Sequence, residues 1–428
     1  NPTYGAIVNP LGAGVYQTWA RNTLNIENWN ISHKGNYDQG NHAFQWGLAF
    51  DKSRINDRLN EWEFQDSAGY SLPYQPDLLR LNKVLKTAAS LDINKFSGYI
   101  QDNILLGDSV KSTTITVGVR FNYNSLNNEM LISPRIGASW KPGEKKDIIF
   151  RAAIGAYHQP PFYRELRRFD GSVNKELKAQ KSWQGVAGFD YNFIGLNNRP
   201  MRWTTELYYK HMTDVVPYDI DNVRLRYFGE NNAKAYAAGL EMRLNGELVP
   251  DAESWISLGI MKTGEDIEND FFKVYKLDSL NQPIDSSVTQ HGYLRRPTDR
   301  RVTFGMYFSD YLSTNKNFKV YLNLLYGSNL PYNIPGSVKY RNAAFINPYI
   351  RADIGFSALL MDENRSKRRS HSPFRNFENI WASLEIFNVI DRANTISYLF
   401  VKDFSNTTYL LPNRLTPRLV NLKIVARW

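Results

Sequence analysis

Apolar residues fall on every second position of the segment Arg418-Leu-Val-Asn-Leu-Lys-Ile-Val-Ala-Arg-Trp428. Val420, Leu422, Ile424, Ala426 and Trp428 share one parity, and Asn421, Lys423 and Arg427 share the other. A two-residue period of this kind predicts a β-strand with one apolar and one polar face. Repeating the test upstream predicts about fifteen strands. The clearest apolar sets run Phe44 to Phe50, Ile115 to Tyr123, Phe150 to Ala156, Tyr236 to Leu244, Val302 to Phe308, Val320 to Tyr326, Ile350 to Leu360 and Ile380 to Ile386. No helical period competes over a comparable length.

The charges sharpen the picture. Arg120, Arg151, Asp190, Arg202, Glu206, Lys210, Glu241, Arg243, Arg301, Lys319, Arg351, Asp353, Glu385, Lys423 and Arg427 all sit on the parity opposite their strand's apolar set. A charge facing lipid at mid-membrane costs about 2–4 kcal/mol, so this segregation is what a lipid-facing band requires. A soluble sandwich segregates its charges less completely.

The links between strands alternate in length. Short ones lie near Gly35 to Asn41, Gly107 to Lys111, Lys141 to Asp147, Ile194 to Pro200, Val249 to Ser254 and Ser309 to Lys316. Long ones cover Gln65 to Asp92, His158 to Lys181, Thr213 to Lys234, Gly264 to Thr298, Gly327 to Asn347 and Asp391 to Leu415. One rim therefore carries turns and the other loops, the asymmetry of an outer-membrane barrel. Two links depart from the scheme: Asn124 to Glu129 is short on the loop rim, and Met361 to Asn379 is long on the turn rim. Counting back from Trp428, the first strand, near Asn22, points the same way as the last. An odd number of strands cannot close an antiparallel barrel. Residues before Val15 read as a loop, so further strands are expected on the N-terminal side.

Composition agrees and excludes alternatives. Aromatic residues make up 14% of the chain, yet no apolar run approaches the ~20 residues of a membrane-spanning helix. With no cysteine, neither a disulfide framework nor a thiolate metal site can form. The net charge of +10 is dispersed, and its one dense run, Arg365-Ser-Lys-Arg-Arg369, reads as a solvated turn rather than a nucleic-acid contact. The six histidines never reach metal-ligand spacing, and nothing reads as a nucleophile elbow or phosphate loop. No enzyme, metal or cofactor is expected.

Several phrases resemble the TonB-dependent outer-membrane transporters. Ser133-Pro-Arg-Ile-Gly137 opens a strand; Phe150-Arg-Ala-Ala-Ile-Gly-Ala-Tyr157 leads into Pro160-Pro-Phe-Tyr-Arg-Glu-Leu166. Ala238-Gly-Leu-Glu241, Phe387-Asn-Val-Ile-Asp-Arg392 and Leu415-Thr-Pro-Arg418 before a final aromatic-ended strand are similar to the family's later segments. Asn174-Lys-Glu-Leu-Lys-Ala-Gln180 departs from the family's Leu-Lys-Pro-Glu. The resemblance implies an all-β, transmembrane, antiparallel up-and-down barrel. Residues 1–428 would be its C-terminal portion, strands eight to twenty-two of twenty-two, without the N-terminal plug domain. It also implies a Gram-negative outer-membrane location. The implied partners are membrane lipid, TonB through the missing plug segment, the barrel-assembly machinery, a surface lipoprotein, and a nutrient ligand such as a siderophore, cobalamin, glycan or peptide. No nucleic-acid partner is expected. The alternatives are a passive porin or adhesin barrel and a soluble carbohydrate-binding β-protein.

Candidate site residues follow from this frame. In the loop phrase Tyr157-His158-Gln-Pro-Pro-Phe162-Tyr163-Arg164, prolines stiffen the backbone while aromatics and a guanidinium are available to a ligand at low entropic cost. Tyr275, Tyr293, Tyr332 and Tyr340 are lesser loop candidates. Arg120, Arg151, Arg202, Glu206, Glu241, Arg243, Arg351 and Glu385 face the lumen, where they pair with one another or meet a plug or substrate. Trp46, Trp183, Trp203, Tyr209 and Trp428 read as interfacial girdle residues in preference to sugar platforms. By the resemblance, Trp428 is also the signal read by the barrel-assembly machinery.

Overall fold

The structure, a computed structural model, describes residues 15–428 except 68–69, 72–80, 82, 109, 144–146, 196–197, 222, 250–251, 280–281, 313–315, 335–337, 363–376, 403–407 and 416. The basic run Arg365 to Arg369 lies outside the described residues. One sheet holds 18 strand segments. Three of them, Val15–Ala20, Tyr70–Ser71 and Leu294–Arg295, only extend or flank longer neighbours, which leaves fifteen wall strands. These are β1 (Thr23–Gln39), β2 (His42–Ser67), β3 (Lys83–Gly107), β4 (Ser112–Asn124), β5 (Glu129–Lys141), β6 (Asp147–Gln159), β7 (Gln180–Ile194) and β8 (Pro200–Val215). They continue as β9 (Ala233–Val249), β10 (Ala252–Ile267), β11 (Val302–Tyr311), β12 (Phe318–Gly327), β13 (Tyr349–Asp362), β14 (Asn379–Phe387) and β15 (Leu419–Arg427).

Each strand pairs antiparallel with the next in sequence, and among the described residues no pairing joins β1 to β15. Directly opposed residues share a face, so the register carries the apolar parity from strand to strand: Phe150 lies opposite Phe189, Leu258 opposite Phe304, Leu384 opposite Leu422. That face is open. Leu422 is 71% exposed, Ile424 66% and Ile154 55%. In a sandwich these side chains would be the dry centre; here they form the outside of a wall.

Two expectations need correction. The links are more ordered than predicted, because β2 and β3 pair from Glu63–Lys83 down to His42–Ile104. At 26 residues β2 spans about 85 Å, far beyond the ~9–11 residues that cross a membrane. Within the segment read as the loop Gln65 to Asp92, residues 65–67 and 83–92 are thus paired strand, part of a blade above the membrane. Four other loops carry two-stranded ribbons, such as Tyr218–Asp221 with Arg224–Tyr227 and Thr395–Lys402 with Thr408–Arg414. Charge segregation is also incomplete. Asp102 lies opposite Phe44 and Val117 on the outward face. It is tolerated near the turn end of β3, where His42 Nδ1 approaches its carboxylate at 2.6 Å.

Candidate functional site

The blade explains where the loop phrase goes. Above the membrane the inward parity of β2 and β3 turns apolar, with Ile55 on one strand and Leu91 and Ile93 on the other. The loop between β6 and β7 covers this patch: Leu166 and Leu177, together with Val216 from the next loop, form one buried cluster with the three. A 3₁₀ turn over Tyr163–Leu166 sets the geometry. Its Glu165 carboxylate accepts from the Phe162 N–H at 3.1 Å and from Gln180 Nε2 at 2.6 Å.

A polar latch lies beside the cluster. The Tyr163 hydroxyl donates to Asp57 on the inner face of β2, and Arg167 donates to the same carboxylate oxygen. Arg167 also donates to Tyr163 Oη at 2.5 Å, Thr87 Oγ1 at 3.0 Å and the Gly171 carbonyl at 2.6 Å. Asp57 and Arg167 side chains are only 6% and 14% exposed. Burial, reinforced by the bond to Asp57, pushes the Tyr163 hydroxyl up to about 12. Burial pushes Glu165 up to about 7, against the stabilising bonds from Phe162 and Gln180. The loop is also stitched to its neighbours: Ala179 N–H donates to Glu129, Asn174 to the Gly229 carbonyl and Asn231 to the Lys178 carbonyl.

The five loop candidates therefore part ways. Phe162 stays 40% exposed, edge-on to Tyr227 at 5.5 Å, and Arg164 is exposed. Tyr163 is turned into the latch. Tyr157 lies under the Arg135 guanidinium at 4.3 Å, and His158 Nδ1 sits 3.0 Å from Ser133 Oγ. Sequence reasoning did not single out Asp57 or Arg167, and met Glu165 only within the phrase Pro160 to Leu166.

On the inner wall a hollow of about 700 Å³ is lined by Lys34, Arg120, Arg135, Tyr157, Arg151 and Glu206 among others. Arg151 meets Glu206 at 3.0 Å and Asp190 at 3.1 Å, and Arg202 meets Asp190 at 3.1 Å. This places a guanidinium beside Glu206, which faces Glu241 directly in the register and would otherwise suffer like-charge repulsion. Arg120 lies over Tyr99 at 5.9 Å and Arg243 over Trp255 at 5.3 Å. Farther round, Arg351 bonds Asp353 at 2.7 Å and Glu385 accepts from Asn421 at 2.9 Å. The aromatics read as girdle residues, Trp46, Trp183, Trp203, Tyr209 and Trp428, are exposed on the outward parity; Trp428 is 86% exposed, its ring 6.3 Å from Phe377. No group of His, Cys, Asp and Glu suited to a metal occurs among the described residues.

The sequence profile described as "TonB dependent receptor-like, beta-barrel" matches residues 3–359. The chain belongs to the TonB-dependent receptor family. Solved structures agree on the fold. The ferric yersiniabactin uptake receptor FyuA from Yersinia pestis is 13% identical, with a TM-score of 0.61 over 96% of this chain and 55% of that one. The outer membrane transporter YddB from Escherichia coli is 12% identical, with a TM-score of 0.58 over 94% of this chain and 54% of that one. The siderophore receptor PiuA from Acinetobacter baumannii is 12% identical, with a TM-score of 0.55 over 95% and 56%. This receptor wall thus spans about half the length of the structures it matches. No curated protein sequence matches it. As a member of this family, it is an antiparallel β-barrel wall of the Gram-negative outer membrane.

Proposed function

We propose that this receptor wall imports a scarce nutrient across the outer membrane, with the energy delivered through TonB. The nutrient would be a siderophore, cobalamin, glycan or peptide. In this reading the loops capture the ligand and a lumenal plug, with the TonB-contact segment at its end, rearranges to admit it. The barrel-assembly machinery would insert the wall by reading Trp428, and a surface lipoprotein is a further partner that long loops could seat. The observation that carries the reading is the loop of residues 160–179. It is strapped over the inner face of β2 and β3 and leaves Phe162 and Arg164 free above a cation-lined inner wall. A passive pore has no need of a capture surface anchored this firmly. Similar proteins, a ferric yersiniabactin uptake receptor and a siderophore receptor among them, favour an iron-chelate ligand over the other classes.

The experiment is ligand accumulation by cells that carry the receptor, with and without a functional TonB. Accumulation that needs TonB and falls when Phe162 and Arg164 are replaced supports the proposal. Accumulation indifferent to TonB makes the wall a passive pore and ends the importer reading.

A further inference from the structure

Four arginines crowd the end of the loop entering β11, in the phrase Arg295-Arg296-Pro-Thr-Asp-Arg300-Arg301. Three of them have carboxylates. Arg296 meets Glu265 at 3.1 Å; Arg295 and Arg301 meet the fully buried Asp299 at 3.7 and 2.8 Å. Asp299 is fixed in turn by the Thr263 N–H at 2.8 Å. Arg300 is the exception. It is half-buried, makes no ion pair with any described residue, and its Nε is enclosed without a hydrogen-bond partner. Leaving a guanidinium partly desolvated with unmatched donors is costly unless an anion completes it.

Its surroundings hold the group in place. The guanidinium lies against Gly327, where a Cβ would come within 2.3 Å of Nη1. Gly327 closes β12 opposite Thr303 and Tyr349, on the inner parity and at the loop rim. The neighbouring strand end is pinned there by Ser328, whose N–H donates to the Val302 carbonyl and whose Oγ accepts from the Val302 N–H. Tyr349 lies directly opposite Gly327 in the register, on the same inner face.

Resting on the importer reading above, we propose that Arg300, Gly327 and Tyr349 form a recess for a carboxylate or phosphate group of the captured ligand. The planar guanidinium offers paired N–H donors to two oxygens of one anionic group, and the Tyr349 hydroxyl adds a third. The recess lies on the inner parity where the loops meet the wall. A ligand entering from outside therefore reaches it before the mid-wall hollow of Arg120 and Arg151. The imported molecule is accordingly an anion, recognised by its acidic group.

The test is calorimetric titration of the receptor in detergent with malonate, inorganic phosphate and the neutral isostere malonamide at low salt. The wild type binds both anions and ignores malonamide. Arg300→Gln weakens anion binding about ten- to hundredfold, the loss of a charge-assisted contact. Gly327→Ala weakens it comparably by displacing the guanidinium, since the backbone there suits any residue. Tyr349→Phe costs a smaller factor, and Arg418→Gln, in a half-exposed pair elsewhere on the rim, changes nothing. Unaltered thermal melts show that the variants fold. Equal binding by wild type and Arg300→Gln overturns the recess, as does wild-type indifference to both anions. TonB-dependent accumulation, measured alongside, separates the two readings. A receptor that imports but ignores these anions loses only the recess; one that binds them through Arg300 but imports nothing loses only the importer reading.

Discussion

Replacing Arg167 with Met should release the loop of residues 160–179 without disturbing the wall. Met keeps much of the arginine stem's volume but removes the charge. Asp57, 6% exposed, is then left as a buried carboxylate with the Tyr163 hydroxyl as its main remaining donor. Breaking one side of a buried pair costs about 3–5 kcal/mol, most of it the desolvation of the abandoned charge. At about 1.4 kcal/mol per decade, the local opening constant should rise at least a hundredfold. Hydrogen exchange followed by peptide mass spectrometry reads this directly, as lost protection at 163–179. Protection in β4 and β5 should stay unchanged, since the cost falls on the loop. The half-exposed pair of Arg418 and Asp391, 3.9 Å apart, serves as control and is worth about 0–1 kcal/mol. Adding Asp57→Asn to Arg167→Met should restore much of the protection, because the double variant buries no unpaired charge. If Arg167→Met leaves exchange within a factor of about five, or if the double variant is as loose as the single, the latch does not hold the loop.

Three other outcomes follow. Glu165 is raised to about 7 by burial, so its folded-state value lies above its unfolded one; the docked loop is then most stable at low pH and loses stability as pH climbs from about 4.5 through 7. Protection factors at 163–179 should fall between pH 5 and 8 in the wild type, and Glu165→Gln should flatten that dependence; a flat wild-type profile refutes the linkage. Leu422→Arg puts a charge on the outward face and should cost about 2–4 kcal/mol in urea unfolding from vesicles, whereas Asn421→Arg on the inner face should cost little; equal costs contradict the assigned faces. Deleting Trp428 should reduce insertion into the outer membrane, measured by heat-modifiable migration, more than it reduces ligand binding by the fraction that does insert; normal insertion would remove its role as an assembly signal.

The wall was readable because its cause is local. A strand's two-residue period and the cost of a charge against lipid both leave marks within ten residues, and the register carries the same parity from β2 to β15. Asp102 escaped because its partner His42 sits 60 positions away in sequence. The ribbons escaped for another reason: short pairs such as Tyr218–Asp221 with Arg224–Tyr227 alternate too briefly to stand out from a loop. The latch was the hardest to see, since Asp57 and Arg167 are 110 residues apart and their meeting depends on how a loop folds inward. One local mark of it was present. Ile55, Leu91 and Ile93 put apolar side chains on the inward parity, which makes sense only if something covers them. The arginine cluster is plain in the sequence, but only the fold tells which of its members lacks a carboxylate.

In this wall the apolar parity faces hydrocarbon and the polar parity faces water. Spin labels placed one at a time from Val420 to Ile424 test it most directly, by collision with oxygen, which concentrates in lipid, and with a polar nickel chelate, which stays in water. A two-residue alternation is expected: high oxygen accessibility at Val420, Leu422 and Ile424, and high chelate accessibility at Asn421 and Lys423. Low accessibility to both reagents at Leu422 and Ile424 would mean that these residues lie in a dry interior between layers, and the membrane wall would have to be given up.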